Sequence, residues 1–136
     1  MVEQTLVFIK PDGMAKRLVG QIVGRYEEKG LNLVAIKRVE ITREMAERHY
    51  AEHAGKTFFE GIIASVTASP VVAMVWEAPD VVAIIRLMNG ATNGAVAQPG
   101  TIRGDYAANF TDNVVHASDS PESARREISN FFPELG

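Results

Sequence analysis

Short runs rich in β-branched and aromatic residues alternate along this chain with segments whose apolar residues recur at helical spacing, and that alternation restricts the fold more than any other feature. The first run, Thr5 to Lys10, is stopped by Pro11-Asp12-Gly13, residues suited to a tight turn. Val19 to Lys29 sets Val19, Ile22, Val23 and Tyr26 on one helical stripe, with Gly30 placed as a C-terminal cap. Leu31 to Ile41 has strand composition, and Thr42 can cap a helix running toward His53. Phe59, Ile62, Ile63 and Val66 again follow helical spacing, which ends before Pro70. Val71 to Trp76 is a strand, and Asp80 caps a helix through Met88 with Gly90 at its exit. Asn113 to His116 supplies a last short strand, and Ser120 with Pro121 opens a helix to Phe132. The order implies an α/β chain of the α+β kind: a ferredoxin-like βαββαβ core with a four-stranded antiparallel sheet covered by helices. Pattern alone leaves the strand order open.

With 136 residues the chain can bury one core but not two, so residues 1–136 are read as a single domain. Cysteine is absent, which excludes disulfides, thiolate nucleophiles and Cys-ligated metal and fits a cytoplasmic protein. The N-terminal run lacks a signal-peptide layout, and no apolar stretch approaches the roughly 20 residues that cross a bilayer, so no membrane partner is expected. The net charge of -3 repels polyanions and makes nucleic acid an unfavourable partner. An anionic ligand would need a local cationic pocket.

Asn89 to Asp112 shows no periodicity, and a loop so long in a small domain is commonly functional. Of the three histidines, His49 and His53 stand four apart as HYAEH, where one helix face could chelate a metal in the manner of a zinc protease. A solvated helix face is the plainer explanation. His116 ends an apolar strand and precedes small polar residues and a helix N-terminus. It is either a hydrogen-bonded strand-end histidine or a nucleophile, because neutral imidazole keeps one lone pair for attack while its other nitrogen is held. Lys10, Arg86 and Arg103 are cations suited to phosphate, although each alone could simply face water. No Gly-rich phosphate-loop motif occurs.

Taken in order, IKPDG (Ile9 to Gly13), HYAEHAGKTFF (His49 to Phe59), SPVVAMVW (Ser69 to Trp76), RLMNGATN (Arg86 to Asn93), PGTIRGDY (Pro99 to Tyr106) and NVVHASDS (Asn113 to Ser120) resemble the nucleoside diphosphate kinases. The set spans the chain from first strand to last helix. The resemblance implies transfer of the γ-phosphate of a nucleoside triphosphate, typically ATP, to a nucleoside diphosphate through a phosphohistidine at His116, with ping-pong kinetics. It further implies that Lys10 reaches the ribose and the transferring phosphate, and that Tyr50 and Asn113 position the reactants. His53, Arg86, Thr92 and Arg103 would hold phosphate oxygens, and Ser118 and Glu127 would orient His116. Phe58 would stack on the base with Ile62 and Phe110 lining the slot, although core packing is the other explanation for Phe58. Mg2+ would arrive on the nucleotide, with Asp119 touching it through water. Relatives form hexamers or tetramers, and a homohexamer is expected. An inactive nucleotide-binding scaffold of the same fold is the alternative. The sequence departs from the family at Ala117, where glycine usually follows the histidine and a positive φ would strain alanine. It departs also at Phe110 and at ATNG (Ala91 to Gly94).

Overall fold

The computed structural model describes residues 2–135. Strand β1 (Val2–Ile9) is central in a four-stranded sheet of order β2-β3-β1-β4, with β2 at Asn32–Val39, β3 at Val71–Pro79 and β4 at Val115–Ala117. All three pairings are antiparallel. The topology is two interleaved β-α-β units, each clasping a strand of the other, as the ferredoxin-like expectation required.

Both faces of the sheet are covered, which is why residues 6–9 of β1 and 71–76 of β3 are apolar without interruption. Val7, Ile9, Val72, Met74 and Trp76 point to one face, where they meet Ile22 and Tyr26 of α2 (Val19–Glu28), Val81 and Ile85 of α5 (Val81–Asn89) and Ile102 of α6 (Ile102–Tyr106). Leu6, Phe8, Val71, Ala73 and Val75 point to the other. There they pack on Ala46 of α3 (Arg43–His49), Ile63 and Val66 of α4 (Phe59–Thr67) and Phe131 of α7 (Pro121–Phe131). The period-two alternation thus builds two cores from two strands. Edge strand β2 alternates exposed and half-buried residues instead, and leaves Val34 and Ile36 exposed.

Four local expectations are corrected. Pro11-Asp12-Gly13 is not a tight turn but the start of helix α1 (Pro11–Ala15), with Pro11 in the first turn where its missing N–H costs nothing. Thr42 does cap α3 by accepting from Met45 N, but the helix stops at His49, and Ala51–His53 form a separate 3-10 turn. Asp80 precedes α5 in a left-handed conformation (φ +58) and makes no side-chain cap; Glu3 Oε1 instead accepts the Val82 N–H at 3.0 Å. The aperiodic stretch contains α6, capped by Thr101 through the Gly104 N–H.

Candidate active site

His116 lies on β4 opposite Phe8 of β1, at the edge of the sheet that α7 covers. Its ring stacks on Phe8 (4.9 Å between centroids, 27°) and meets the His49 ring edge-on (4.5 Å, 79°). Nε2 is 2.8 Å from Glu127 Oε1, and the Ser118 hydroxyl donates to the same oxygen at 2.8 Å. Ser118 Oγ also accepts the Leu6 N–H at 3.3 Å, which ties this side chain to the central strand. Burial by itself would raise the Glu127 pKa, but the hydrogen bond and charge of His116, the His49 charge and the Ser118 hydroxyl together lower it. Glu127 is therefore an ionised acceptor. Nε2 must then donate, which leaves the lone pair of a neutral His116 on Nδ1.

A second network brings the cations together. Lys10, directly after β1, donates from Nζ to Asn113 Oδ1 at 2.7 Å and to the Thr111 carbonyl at 2.9 Å. Asn113 Nδ2 in turn donates to the Thr92 carbonyl at 3.0 Å. Burial lowers the Lys10 pKa against the raising effect of Asp12, with Arg103 adding to the lowering. Arg103 is 6% exposed and donates to three backbone carbonyls: Asn113 (3.2 Å), Gly90 (2.9 Å) and Val115 (2.6 Å). Burial first, then the Arg86 charge, draws its pKa down to about 10, so it remains charged at neutral pH. Arg86 Nη1 donates to the Ala117 carbonyl at 3.3 Å. Three cations thus converge on the backbone around β4 in a chain of net charge -3.

The backbone between the networks is strained. Val114 adopts φ +61, rare for a β-branched residue, while the Val115 N–H donates to Asn113 O at 2.7 Å. Asp12 Oδ2 accepts the Val114 N–H at 2.9 Å and the Lys10 N–H donates to Val114 O at 2.9 Å, so the segment that follows β1 holds the turn that precedes β4. Gly13 permits this approach, since a Cβ there would stand 2.6 Å from Val114 O. The positive φ that would have strained Ala117 is not adopted: Ala117 pairs with Val7 in β4, and a left-handed residue falls three positions earlier, at Val114.

The remaining residues stand further out. Tyr50 contacts the far side of His49 edge-on at 4.6 Å, and burial raises its pKa. His53 sits beyond it (6.5 Å to Tyr50, 5.5 Å to Phe58), with Lys56 Nζ 3.3 Å from its Nδ1. Because α3 ends at His49, the HYAEH pair does not share one helix face: His49 is buried against His116, and His53 is half-buried in a separate 3-10 turn beside Phe58. Phe58 is 50% exposed and Phe110 64%, so neither is a core residue; Ile62 is half-buried on α4. Asp119 lines a groove of about 890 Å³ that takes in Arg86 and Thr101 but not His116. Sequence reasoning assigned no role to Asp12, Phe8 or His49 in this assembly. Asp12 lay inside a recognised motif, whereas the packing of Phe8 and His49 against His116 has no local signal.

The family model for nucleoside diphosphate kinase matches residues 3–135. A nucleoside diphosphate kinase from Carboxydothermus hydrogenoformans is 55% identical over 133 residues, covering 98% of this chain and 89% of that relative. One from Archaeoglobus fulgidus is 54% identical over 133 residues, covering 98% and 88%. Among solved structures, the Halobacterium salinarum nucleoside diphosphate kinase in complex with CDP superposes with a TM-score of 0.94 at 46% identity, covering 97% of this chain and 88% of that one. The Aquifex aeolicus enzyme gives 0.94 at 36% identity, covering 99% and 98%. Fold, full-length sequence similarity and the phosphate-suited cations around a held imidazole agree, and the chain belongs to the nucleoside diphosphate kinase family of phosphotransferases.

Proposed function

We propose that His116 is the phosphate carrier, and that the ionised Glu127 at 2.8 Å from Nε2 is the observation on which this rests. With Nε2 donating, Nδ1 attacks the γ-phosphorus of a nucleoside triphosphate. An N–P bond forms as the bond to the bridging oxygen breaks, and the nucleoside diphosphate departs with that electron pair. A second nucleoside diphosphate then takes the phosphoryl group by the reverse step at the same site, which gives ping-pong kinetics.

Charge spreads over the phosphoryl oxygens in the transition state, and preorganised donors stabilise it there. Lys10, Arg86, His53 and the Thr92 hydroxyl act in that role, and Asn113 and Tyr50 position the reactants. Arg103 has three of its five N–H groups committed to carbonyls, so it contributes its charge and the two remaining donors. Phe58, Ile62 and Phe110 form the base slot. The exposure of Phe58 removes core packing as its purpose, and a stacking face accepts purines and pyrimidines alike. The phosphate-side donors are cations, hydroxyls, an amide and one imidazole, which suits a Mg2+ that would arrive on the nucleotide, with Asp119 as the residue that would hold it through water. Such an ion would offset the phosphate charge.

Self-association as a homohexamer, with a tetramer as the other state, is supported by edge strand β2 and its exposed Val34 and Ile36, and light-scattering mass tests it. A cytoplasmic location fits the absence of cysteine, and among the described residues no helix is long and apolar enough to cross a membrane. The carrier is tested by incubating the protein with γ-labelled ATP and Mg2+. Acid-labile, alkali-stable label should appear and then discharge to GDP. Equal labelling of His116→Ala would remove His116 from the role.

A further inference from the structure

We propose that His49, His116 and Glu127 form a binding site for a divalent transition metal of the zinc and cobalt class, and that a metal there silences the phosphate carrier. The silencing rests on His116 being the carrier; the binding does not. One nitrogen from each imidazole and one carboxylate oxygen lie within 4.8 Å of one another. His49 is 6% exposed, has its Nδ1 buried with no hydrogen-bond partner, and is held edge-on against His116. A polar nitrogen is costly to bury unpaired, and a metal ion would give His49 a partner in this cluster.

The donor set selects the ion. Two imidazoles and one carboxylate are ligands of zinc-class ions, whereas magnesium prefers oxygen, so this site is separate from the metal carried by the nucleotide. Tetrahedral bonds of about 2.0–2.1 Å put ligand atoms roughly 3.3 Å apart. The His116–Glu127 pair at 2.8 Å would open slightly, and the His49 ring would turn inward. Ser118, bonded to Glu127 Oε1, steadies the carboxylate, and Phe8 and Phe131 pack around His49 as an apolar shell. Arg126 Nη2, 3.9 Å from Glu127, competes for that carboxylate and weakens the site without occupying the metal position.

Occupation changes the proton on the carrier. A metal on Nε2 displaces the proton that Nε2 gives to Glu127, and a ring that stays neutral then holds its one proton on Nδ1. The lone pair used for attack is capped, with no proton gained or lost by the ring.

The chain has three histidines, so the test is spectroscopic. Full-length protein with ¹⁵N-labelled histidine, free of nucleotide and Mg2+, is titrated with Zn2+, and His53→Asn assigns the outer ring. The ring nitrogens of His49 and His116 should shift together at one equivalent while those of His53 hold. Glu127→Gln and His49→Gln should each weaken Zn2+ binding at least about tenfold. Unmoved His49 resonances in the wild type overturn the site irrespective of how the variants fold, and so does unchanged affinity in both variants. Zn2+-loaded protein should take up no label from ATP. Uptake with the site filled overturns the silencing, whereas a metal-free protein that takes up no label contradicts the carrier assignment instead.

Discussion

Replacing Glu127 by glutamine isolates what the carboxylate charge does for His116. Gln keeps the shape and an oxygen that can accept from both His116 Nε2 and the Ser118 hydroxyl, each now 2.8 Å from Oε1. The amide orientation that keeps the Ser118 hydroxyl donating places the oxygen side toward His116 and preserves the tautomer. Only the charge is lost. A hydrogen bond to an ionised partner contributes about 1.5–3 kcal/mol and a neutral one about 0.5–1.5, so the positive charge that develops on the imidazole during phosphorylation loses about 1–1.5 kcal/mol of support. That corresponds to roughly a tenfold slower step. Rapid-quench measurement of label transfer from ATP under single-turnover conditions should show that decrease with nucleotide affinity unchanged, because Glu127 sits behind the ring. A linked effect has a definite sign. The folded-state pKa of Glu127 is lowered, so its contribution to stability is present above the ordinary carboxylate value of 4.5 and lost as pH falls through the lowered one. Chemical denaturation across that acid range should show a limb in the wild type that the Gln variant lacks. A Glu127→Gln enzyme that phosphorylates at the wild-type rate would refute the view that a carboxylate charge prepares His116.

Gly13→Ala should destabilise the fold by about 2 kcal/mol in a denaturant titration, because the new Cβ would meet the Val114 carbonyl at 2.6 Å and Ile9 Cγ2 at 2.8 Å inside a packed site. The phosphorylation rate should fall off in the alkaline range below pH 10.5, since burial lowers the Lys10 pKa and its cation is lost early; a pH–rate profile of Lys10→Gln should lack that limb. Phe58→Ala should weaken ADP, GDP and CDP alike, by the roughly 1–3 kcal/mol of one stacking face, in calorimetric titrations. Its melting temperature should stay near that of the wild type, because a half-exposed ring contributes little to the core.

How far the sequence could be followed depended on the range of the interactions. Ser120 as N-cap and Pro121 after it, Thr42 as N-cap and Gly30 at positive φ all appeared where local chemistry placed them, since each is decided within a turn of helix. The misplaced elements were decided from far away. Pro-Asp-Gly has turn composition, yet Asp12 reaches across the sheet to the Val114 N–H and the segment winds into α1. Asp80 has cap chemistry, yet Glu3 from the neighbouring strand takes the donor.

The site divides in the same way. That lysine, arginines, asparagine and histidine stand in an order suited to nucleotide phosphates was present in the chain itself, as were the apolar alternation that makes a two-faced sheet and the caps that delimit its helices. The geometry around His116 was not. Which His116 nitrogen is held, the seating of His49 beside it and the left-handed Val114 all depend on β4 pairing with β1 and on α7 laying Glu127 against the strand end. Those contacts join residues as much as 112 positions apart, as in the Leu6–Ser118 bond, and a hydrogen bond or stacked ring at that separation leaves no periodicity for a local reading to detect.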